Sequence, residues 1–351
     1  MFRWGIIGSG FAARKFVHGL RQSTGGTATL VVSRNETNAR RFAADFGIAE
    51  VAADLDRAVR SSSVDAFYIA TPPSEHRAQA VACLAQGKPA LVEKPLAITQ
   101  ADAEAIAAEA RSRGVFCMEG MWTRFLPASE RARALLAEGA IGEARSLDAG
   151  FGLSNVPELS DNQFRPDLGG GALMHRGVYA IAVALDLLGP ADLVAAAATN
   201  GATGVDEDCV LVLRHRGGAL STLRASLRAP LANDVTVEGT HGRLRLCPPI
   251  YRPFRLELAR TEPTKRGGGG GRFVEALREG GLAQGLQQRL AGIRRARGAA
   301  VGYAGNGYHY EADEVARCVT AGLTESPRMP LDESLRIADL MGEARRVWSR
   351  R

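Results

Sequence analysis

Phe2-Arg3-Trp4-Gly5-Ile6-Ile7-Gly8-Ser9-Gly10-Phe11-Ala12-Ala13 opens the chain with a short apolar run and the pattern G-x-G-x-x-A. The following residues have the apolar spacing of a helix. A strand, a glycine turn and a helix in this order bind a dinucleotide, because the glycines admit a pyrophosphate and the helix N-terminus faces it. We therefore predict a nucleotide site whose contacts are Gly8, Ser9, Gly10, Phe11 and Ala12.

The second predicted strand, 27–32, ends in Ser33-Arg34. Sites that select NAD usually place an Asp or Glu here to bind the ribose 2′-hydroxyl. A hydroxyl and a guanidinium suit a 2′-phosphate instead, since Arg can bind it through two hydrogen bonds. The pattern favours NADP over NAD, the alternative being a solvated Arg34 that caps the next helix.

Two later strands also end in polar residues. Residues 64–70 lead into Thr71-Pro72-Pro73-Ser74-Glu75-His76, and Ala90-Leu91-Val92 leads into Glu93-Lys94-Pro95. Ligands of open parallel sheets bind outside the carboxyl ends of the strands. We therefore expect cofactor contacts from Thr71, Pro72, His76, Glu93 and Lys94, although Lys94 could be a solvated lysine and His76 a helix-face histidine.

The strand and helix pattern changes along the chain. Six strands alternate with helices up to residue 120, which predicts a doubly wound parallel sheet, a Rossmann domain, over 1–120. Period-two strands between residues 191 and 259 predict an open, mostly antiparallel sheet within a second domain, 121–351. The predicted fold class is α/β followed by α+β, with a basic, glycine-rich insert at about 262–303.

The net charge of +6 belongs to one segment. Between Lys265 and Ala300 there are eight Lys or Arg residues and two Glu residues, a difference of +6, so the remainder is neutral. This distribution argues against nucleic acid as a partner and places the segment outside the catalytic core. No run reaches the ~20 apolar residues of a membrane span, and five scattered cysteines indicate reduced thiols in a cytoplasm and no metal site.

Two groups in the second half could contribute to a site. The chain leaves the first sheet at its ligand edge through a stretch that contains Trp122, Arg124 and Phe125. These side chains could line the cleft or pack the domain hinge. His175 and Tyr179 are four residues apart in an apolar helix expected from Asp167 to Leu188, so they share a face. They are candidate proton donors, or a half-buried polar pair.

Together these motifs resemble the family of glucose–fructose oxidoreductase and inositol 2-dehydrogenase, the Gfo/Idh/MocA family. The resemblance depends on the glycine turn, Thr71-Pro72-Pro73, Glu93-Lys94-Pro95 and Gly169-Gly170-Gly171-Ala172-Leu173. Three further stretches are similar to its dimeric dihydrodiol dehydrogenase branch, namely Glu119–Pro127, Gly177-Val178-Tyr179 and Tyr308-His309-Tyr310-Glu311-Ala312.

The resemblance implies an oxidoreductase that interconverts an alcohol and a carbonyl on a sugar or cyclic diol. Lys94 and Tyr179 would act near C4 of the nicotinamide, and the second sheet would pair subunits as a homodimer or larger homo-oligomer. Most members of the family have an Asp, which helps to hold substrate, where this chain has His175. The alternative is a nucleotide-binding regulator or scaffold that has lost turnover.

Overall fold

The computed structural model describes residues 1–261 and 297–349. Its first sheet has six parallel strands in the order β3-β2-β1-β4-β5-β6, which confirms the predicted doubly wound arrangement. The strands are β1 (Phe2–Ile7), β2 (Gly26–Val32), β3 (Glu50–Ala52), β4 (Ala66–Ile69), β5 (Ala90–Glu93) and β6 (Cys117–Gly120). The helices between them are α1 (Phe11–Leu20), α2 (Glu36–Phe46), α3 (Leu55–Ala58), α4 (Pro73–Ala85) and α5 (Gln100–Arg113).

Local signals set the ends of these elements. The Asn35 side chain accepts a hydrogen bond from the backbone N–H of Asn38 at 2.9 Å and so begins α2. Gly47 ends the same helix in the left-handed conformation, with a φ of 70°. Every residue of β4 and β5 is buried, as expected for the central strands of a sheet covered on both faces.

The second sheet has eight strands in the order β14-β13-β12-β11-β7-β10-β9-β8. Only the β7–β10 pair is parallel among these described strands, so the prediction of a mostly antiparallel sheet is confirmed. The strands are β7 (Ala144–Gly152), β8 (Ala191–Asn200), β9 (Asp206–His215), β10 (Leu220–Ser226), β11 (Val235–Gly239), β12 (Gly242–Leu246), β13 (Arg255–Arg260) and β14 (Arg297–Ala300). The accompanying helices are α6 (Pro127–Ala137), α7 (Val178–Leu188), α8 (Tyr308–Thr320) and α9 (Leu331–Trp348).

The apolar helix α7 lies against one face of this sheet. Leu211, Leu213 and Leu223 are buried on the covered face, whereas Val212 and Thr222 point to the other face and are half-buried. The stretch Pro166–Leu188 has the length and hydropathy of a membrane span, but 78% of its most apolar window is buried inside the protein. It therefore has the character of a core helix.

The helix carrying His175 differs from the expected one. A single helix from Asp167 was predicted, but a 3₁₀ turn at Pro166–Leu168 is followed by glycines and then by a π-helical turn, Leu173–Gly177, that leads into α7. The glycines cannot be helical because Gly169 and Gly171 have φ values of +83° and +119°.

The predicted insert also needs correction at its C-terminal end. Arg297–Ala300 forms β14, which pairs with β13 in the register Leu258 to Arg297, so these residues belong to the sheet. An edge strand of four residues carries little periodic signal and was therefore missed. Residues 301–303 are also described, with the Val301 N–H donating to the Phe254 carbonyl oxygen at 2.7 Å. The rest of the predicted insert, 262–296, lies outside the described residues.

The last two helices, α8 and α9, contact the first half of the molecule. A Cβ on Gly19 of α1 would lie 2.7 Å from the Cβ of Tyr308, so only glycine lets α8 pack this closely on α1. The Ser23 hydroxyl donates to Asp313 of α8 at 2.5 Å. In α9, Arg345 donates to the Ile98 carbonyl at 3.1 Å. The C-terminal helices are therefore packed against both halves of the molecule.

Candidate active site

A cavity of about 600 Å³ lies at the carboxyl ends of β1, β2, β4 and β5. This is the edge where an open parallel sheet binds its ligands. The predicted cofactor residues, with one exception described below, line this single cavity. They are Gly8, Ser9, Gly10, Phe11, Ala12, Ser33, Arg34, Thr71, Pro72, Glu93 and Lys94.

The glycine turn leaves room for a phosphate. Gly8 has a φ of +104°, and a Cβ there would lie 2.7 Å from the Ala70 carbonyl oxygen. Gly10 borders open cavity, because nothing lies within 4 Å of the position that its Cβ would take. No side chain caps the N-terminus of α1 and its first turn has no acidic residue. Free N–H groups beside an open space fit a dinucleotide pyrophosphate.

The end of β2 carries a basic group. The Arg34 side chain is 84% exposed and its Nη1 lies 3.4 Å from Glu75 Oε1, while Ser33 and Asn35 border the same part of the cavity. No acidic residue lies at the end of this strand, where one would bind a ribose 2′-hydroxyl. The donor set fits a 2′-phosphate, with Glu75 as the partner that Arg34 would exchange for it.

Lys94 reaches from the first sheet to the second half of the molecule. Its Nζ lies 5.1 Å from the centre of the Tyr179 ring and donates to the His175 carbonyl oxygen at 3.3 Å. Behind it, the buried carboxyl of Glu93 accepts from the Tyr68 hydroxyl at 2.5 Å and from the Lys94 backbone N–H at 3.0 Å. Burial lowers the pKa of Lys94, and the nearby Glu93 partly offsets that effect.

Tyr179 is held from both sides. The Trp122 Nε1–H donates to its hydroxyl oxygen at 3.2 Å, and the ring meets that of Phe151 edge to face at 5.6 Å. Burial raises the pKa of Tyr179, with a further contribution from Glu93, while the Trp122 hydrogen bond acts in the opposite direction. The phenol is therefore protonated at neutral pH and is placed to donate a proton.

His175 is fixed through its backbone. Asp206 accepts from the backbone N–H of Leu173 at 2.7 Å, and a Cβ on Gly171 would lie 2.2 Å from this carboxylate. The π-helical turn is thus anchored where it begins. Burial, followed by the charges of Lys94 and Arg176, lowers the pKa of His175 to about 3, so its imidazole is neutral at physiological pH. Its Nε2 has no hydrogen-bond partner among the described residues.

The structure corrects the placement of three predicted site residues. His76 is fully buried, and its ring nitrogens lie 3.0 Å from the carbonyl oxygens of Thr71 and Pro95, so it contacts the backbone that borders the cavity instead of the cavity itself. Arg124 pairs with Asp186 and Glu333, and Phe125 is 1% exposed. The partners of both lie within the second half, with Arg328 over the Phe125 ring, whereas Trp122 does line the cleft.

A second cavity of about 430 Å³ opens beside the first, and Phe11, Lys94, Gln163, His175, Tyr179 and Tyr308 border both. Sequence reasoning missed most of its lining. Tyr308 stood in a motif that was noted only for its resemblance, and no site was predicted at Phe151 or Tyr251. Among residues 1–261 and 297–349, no cluster of three or more His, Cys, Asp or Glu side chains could hold a metal ion.

Family models match both halves of the chain. Residues 2–121 match the Gfo/Idh/MocA oxidoreductase family with its NAD-binding Rossmann fold, and residues 129–245 match the Gfo/Idh/MocA C-terminal domain. The trans-1,2-dihydrobenzene-1,2-diol dehydrogenase of Bos taurus is 31% identical over 98% of this chain and 96% of its own length. The Homo sapiens enzyme of the same name is 30% identical over the same shares.

Solved structures give the same picture of the fold. KijD10, a 3-ketoreductase from Actinomadura kijaniata in complex with NADP and TDP-benzene, superposes with a TM-score of 0.82 at 26% identity, covering 99% of this chain and 98% of that one. The aldose–aldose oxidoreductase of Caulobacter crescentus has a TM-score of 0.81 at 21% identity over the same shares, a likeness of fold.

Proposed function

Because this chain belongs to the Gfo/Idh/MocA family of oxidoreductases, we propose that it interconverts an alcohol and a carbonyl on a sugar or cyclic diol, with NADP preferred over NAD. One observation carries the proposal. The Lys94 ammonium and the Tyr179 hydroxyl come from different halves of the molecule. Both border the cofactor cavity, at the carboxyl ends of the first sheet, and the second cavity beside it.

The nicotinamide cofactor, when bound, supplies or accepts the hydride. The protein has to bind the substrate oxygen, orient it and move one proton. Tyr179 is protonated at neutral pH and its hydroxyl is positioned by Trp122, so it donates a proton to a carbonyl oxygen and recovers one from a hydroxyl in the reverse direction. The adjacent ammonium of Lys94 stabilises the phenolate left after donation.

The preference for NADP is supported by the end of β2. Arg34 is largely exposed at the cavity edge, and its ion pair with Glu75 at 3.4 Å is of the surface type that contributes little. A 2′-phosphate would offer Arg34 a stronger, charge-assisted partner. The relative KijD10 was crystallised with NADP, which is consistent with this choice.

We also propose a homodimer formed through the second sheet. Its uncovered face presents half-buried Val210, Val212 and Thr222 beside the exposed Leu220, a patch that a second copy would shield from water. A cytoplasmic, reducing location fits the five cysteines, which are all buried and free.

The proposal can be tested by following the absorbance of reduced nicotinamide with a panel of sugars and cyclic diols. Oxidation of at least one panel member with NADP, slower with NAD at equal concentration, is the expected result. Tight NADPH binding with no turnover of any member would contradict it and would support the regulator alternative suggested by His175.

A further inference from the structure

The second cavity beside the Lys94–Tyr179 pair has an unusual distribution of charge. Its charged lining residues are Lys15, Lys94, Arg176 and Arg252, and among the described residues that border it there is no Asp or Glu. The cofactor cavity, by contrast, includes Glu93 and Asp161. Because the lining of the second cavity carries charge of one sign, its field attracts anions.

The protein compensates these cations only in part, since the charges of Glu93 and Glu119 act on Lys94 and that of Asp161 acts on Arg176. Within the part of the chain that the structure describes, none of Lys15, Lys94, Arg176 and Arg252 takes part in an ion pair. Exposed Lys15 and Arg252 can be neutralised by solvent. Arg176 and Lys94 lie deeper, where an uncompensated charge is costly.

Arg176 is the most informative of the four. It is 3% exposed, and its guanidinium donates to three neutral oxygens: the carbonyls of Leu153, at 2.8 Å, and Ser226, and the Gln163 side chain, at 3.2 Å. These bonds fix the group rigidly but leave its charge in place. Buried cations usually have an acidic partner. The charge of Asp161 acts on Arg176 without an ion pair between them, so a ligand that carries negative charge would complete the site.

His175 supports the same conclusion. Its imidazole is neutral and borders this cavity between Lys94 and Arg176, so it adds no negative charge. A carboxylate at this position would pair with the two cations and would repel an incoming anion.

The remainder of the lining suits a polar ring. Trp122, Phe151, Tyr251 and Tyr308 form an aromatic wall in which Trp122 stacks on Tyr308 at 4.5 Å and Phe151 stacks on Tyr251 at 5.3 Å. Asn155 supplies an amide group that can bind a hydroxyl, whereas the amides of Gln163 and Asn306 already bond at both ends within the protein. A volume of about 430 Å³ accommodates a single ring with its substituents.

We propose that the substrate is an anion: a sugar or cyclic polyol that bears a carboxylate or a phosphate, with its ring against the aromatic wall and its anionic group facing Arg176, Arg252 and Lys15. The inference rests on the proposed function, because it names the substrate class of that same site. The cofactor phosphates do not explain Lys15, Arg176 and Arg252, because these residues line only the second cavity, whereas the glycine turn and Arg34 border the other one.

The experiment compares glucose, glucuronate and glucose 6-phosphate, in which one hexose ring carries no anion, a carboxylate or a phosphate. For each compound, kcat/KM with NADP and calorimetric binding to the NADP-loaded protein are measured. We expect at least one anion to exceed glucose by about tenfold, a difference of one charge-assisted hydrogen bond. The two anionic arms separate the carboxylate from the phosphate.

Variants locate the effect. Arg252→Ala and Lys15→Ala should each lower the ratio of kcat/KM for the anion to kcat/KM for glucose by about threefold or more. Arg216→Ala, which removes an exposed arginine from a turn of the second sheet that borders neither cavity, should change nothing. An equal loss for all three compounds in Arg252→Ala, with the melting temperature unchanged, would show that Arg252 does not select the anion and would contradict the proposal.

The outcomes distinguish the anion proposal from the proposed oxidoreductase activity. Turnover of glucose equal to or better than that of both anions would overturn the anion proposal and leave the oxidoreductase standing. Anion binding that depends on Arg252, without turnover, would support the anion site and overturn the proposed activity. Absence of both binding and turnover for all three compounds would overturn both.

Discussion

The ammonium nitrogen of Lys94 lies 5.1 Å from the centre of the Tyr179 ring, although the two residues are 85 positions apart. Lys94 follows β5 of the first sheet, and Tyr179 lies in α7, which packs against the second sheet. The contact forms only when both halves have folded and packed together. Lys94→Ala or Tyr179→Phe should therefore leave NADPH affinity nearly unchanged and lower kcat by about 10²-fold or more, the scale of a lost general acid.

Steady-state kinetics and fluorescence titration with NADPH provide the two measurements. Tyr310→Phe, which removes a hydroxyl from a tyrosine outside both cavities, is the matched control. If wild-type turnover persisted in both variants, the proton donor would have to be another group.

Arg34 and Glu75 should set cofactor preference. Arg34→Asp replaces the expected ligand of the 2′-phosphate with one for the ribose hydroxyl, so NADPH should lose its advantage over NADH, which we expect to be about tenfold or more. Glu75→Gln releases Arg34 from its ion pair and should tighten NADPH binding by about two- to fivefold. Equal wild-type affinities for the two cofactors would refute the assignment.

Trp122→Phe keeps an aromatic ring but removes the Nε1–H that donates to Tyr179. Loss of this bond, worth about 1 kcal/mol, should raise the pKa of Tyr179 further, because the bond lowers it in the wild type. We expect ketone reduction to slow by about fivefold. The pH at which the rate falls on the alkaline side of its profile should increase. Trp348→Phe is the control, and an unshifted limb would show that Trp122 acts only by packing.

Glu311 should destabilise the protein at neutral and higher pH. Its side chain is fully buried, neither carboxyl oxygen has a partner among the described residues, and burial followed by the nearby Glu93 raises its pKa well above the ordinary 4.5. The folded state therefore holds this proton more tightly than the unfolded state, and its contribution to stability falls as the pH rises above about 4.5.

Glu311→Gln removes that loss of stability. The loss amounts to about 1.4 kcal/mol for each unit of difference between the pKa of Glu311 in the folded state and its pKa in the unfolded state. The variant should unfold at a higher temperature than wild type near pH ~8 and at a similar temperature near pH ~4. Calorimetric scans at both values check this, with exposed Glu36→Gln as the control. A variant that is less stable at the higher pH would contradict the assigned protonation state.

His175→Asp tests whether the positive charge of the second cavity determines substrate preference, because it adds a carboxylate to the lining. A carboxylate beside Lys94 and Arg176 should pair with them, so kcat/KM should fall by about tenfold for anionic substrates and rise for neutral ones. The ratio of the two values, measured on glucuronate and glucose, is the readout. A uniform change in both would show that His175 acts through positioning instead.

The first sheet was predictable because its signals are local. The glycine turn, the apolar runs that form β4 and β5, and the helix ends at Asn35 and Gly47 each lie within a few residues of the structure they determine. For the same reason, all the predicted cofactor residues except His76 border the cavity, since each follows the carboxyl end of a strand, whereas Asp161, Asn162 and Gln163 of the second half were not predicted.

The second cavity was not predictable in this way. Lys15, Arg176, Arg252 and Asn306 lie far apart in the sequence, and long-range packing alone brings them together. His76 and Arg124 carry the chemistry of site residues, but their partners, the Pro95 carbonyl and Glu333, cannot be read from neighbouring positions. β14 was missed because four residues contain too little periodicity.

During synthesis, the nucleotide-binding sheet emerges first, and α8, the helix that packs on α1, emerges only near the end. Until α8 has left the ribosome, the close contact at Gly19 and the hydrogen bond from Ser23 to Asp313 cannot form. A ribosome stalled within the second sheet would hold a first half whose α1 still exposes the surface that Tyr308 covers. Such a chain would be a target for chaperones and proteases, so the cofactor half matures only when nearly the whole protein has been made.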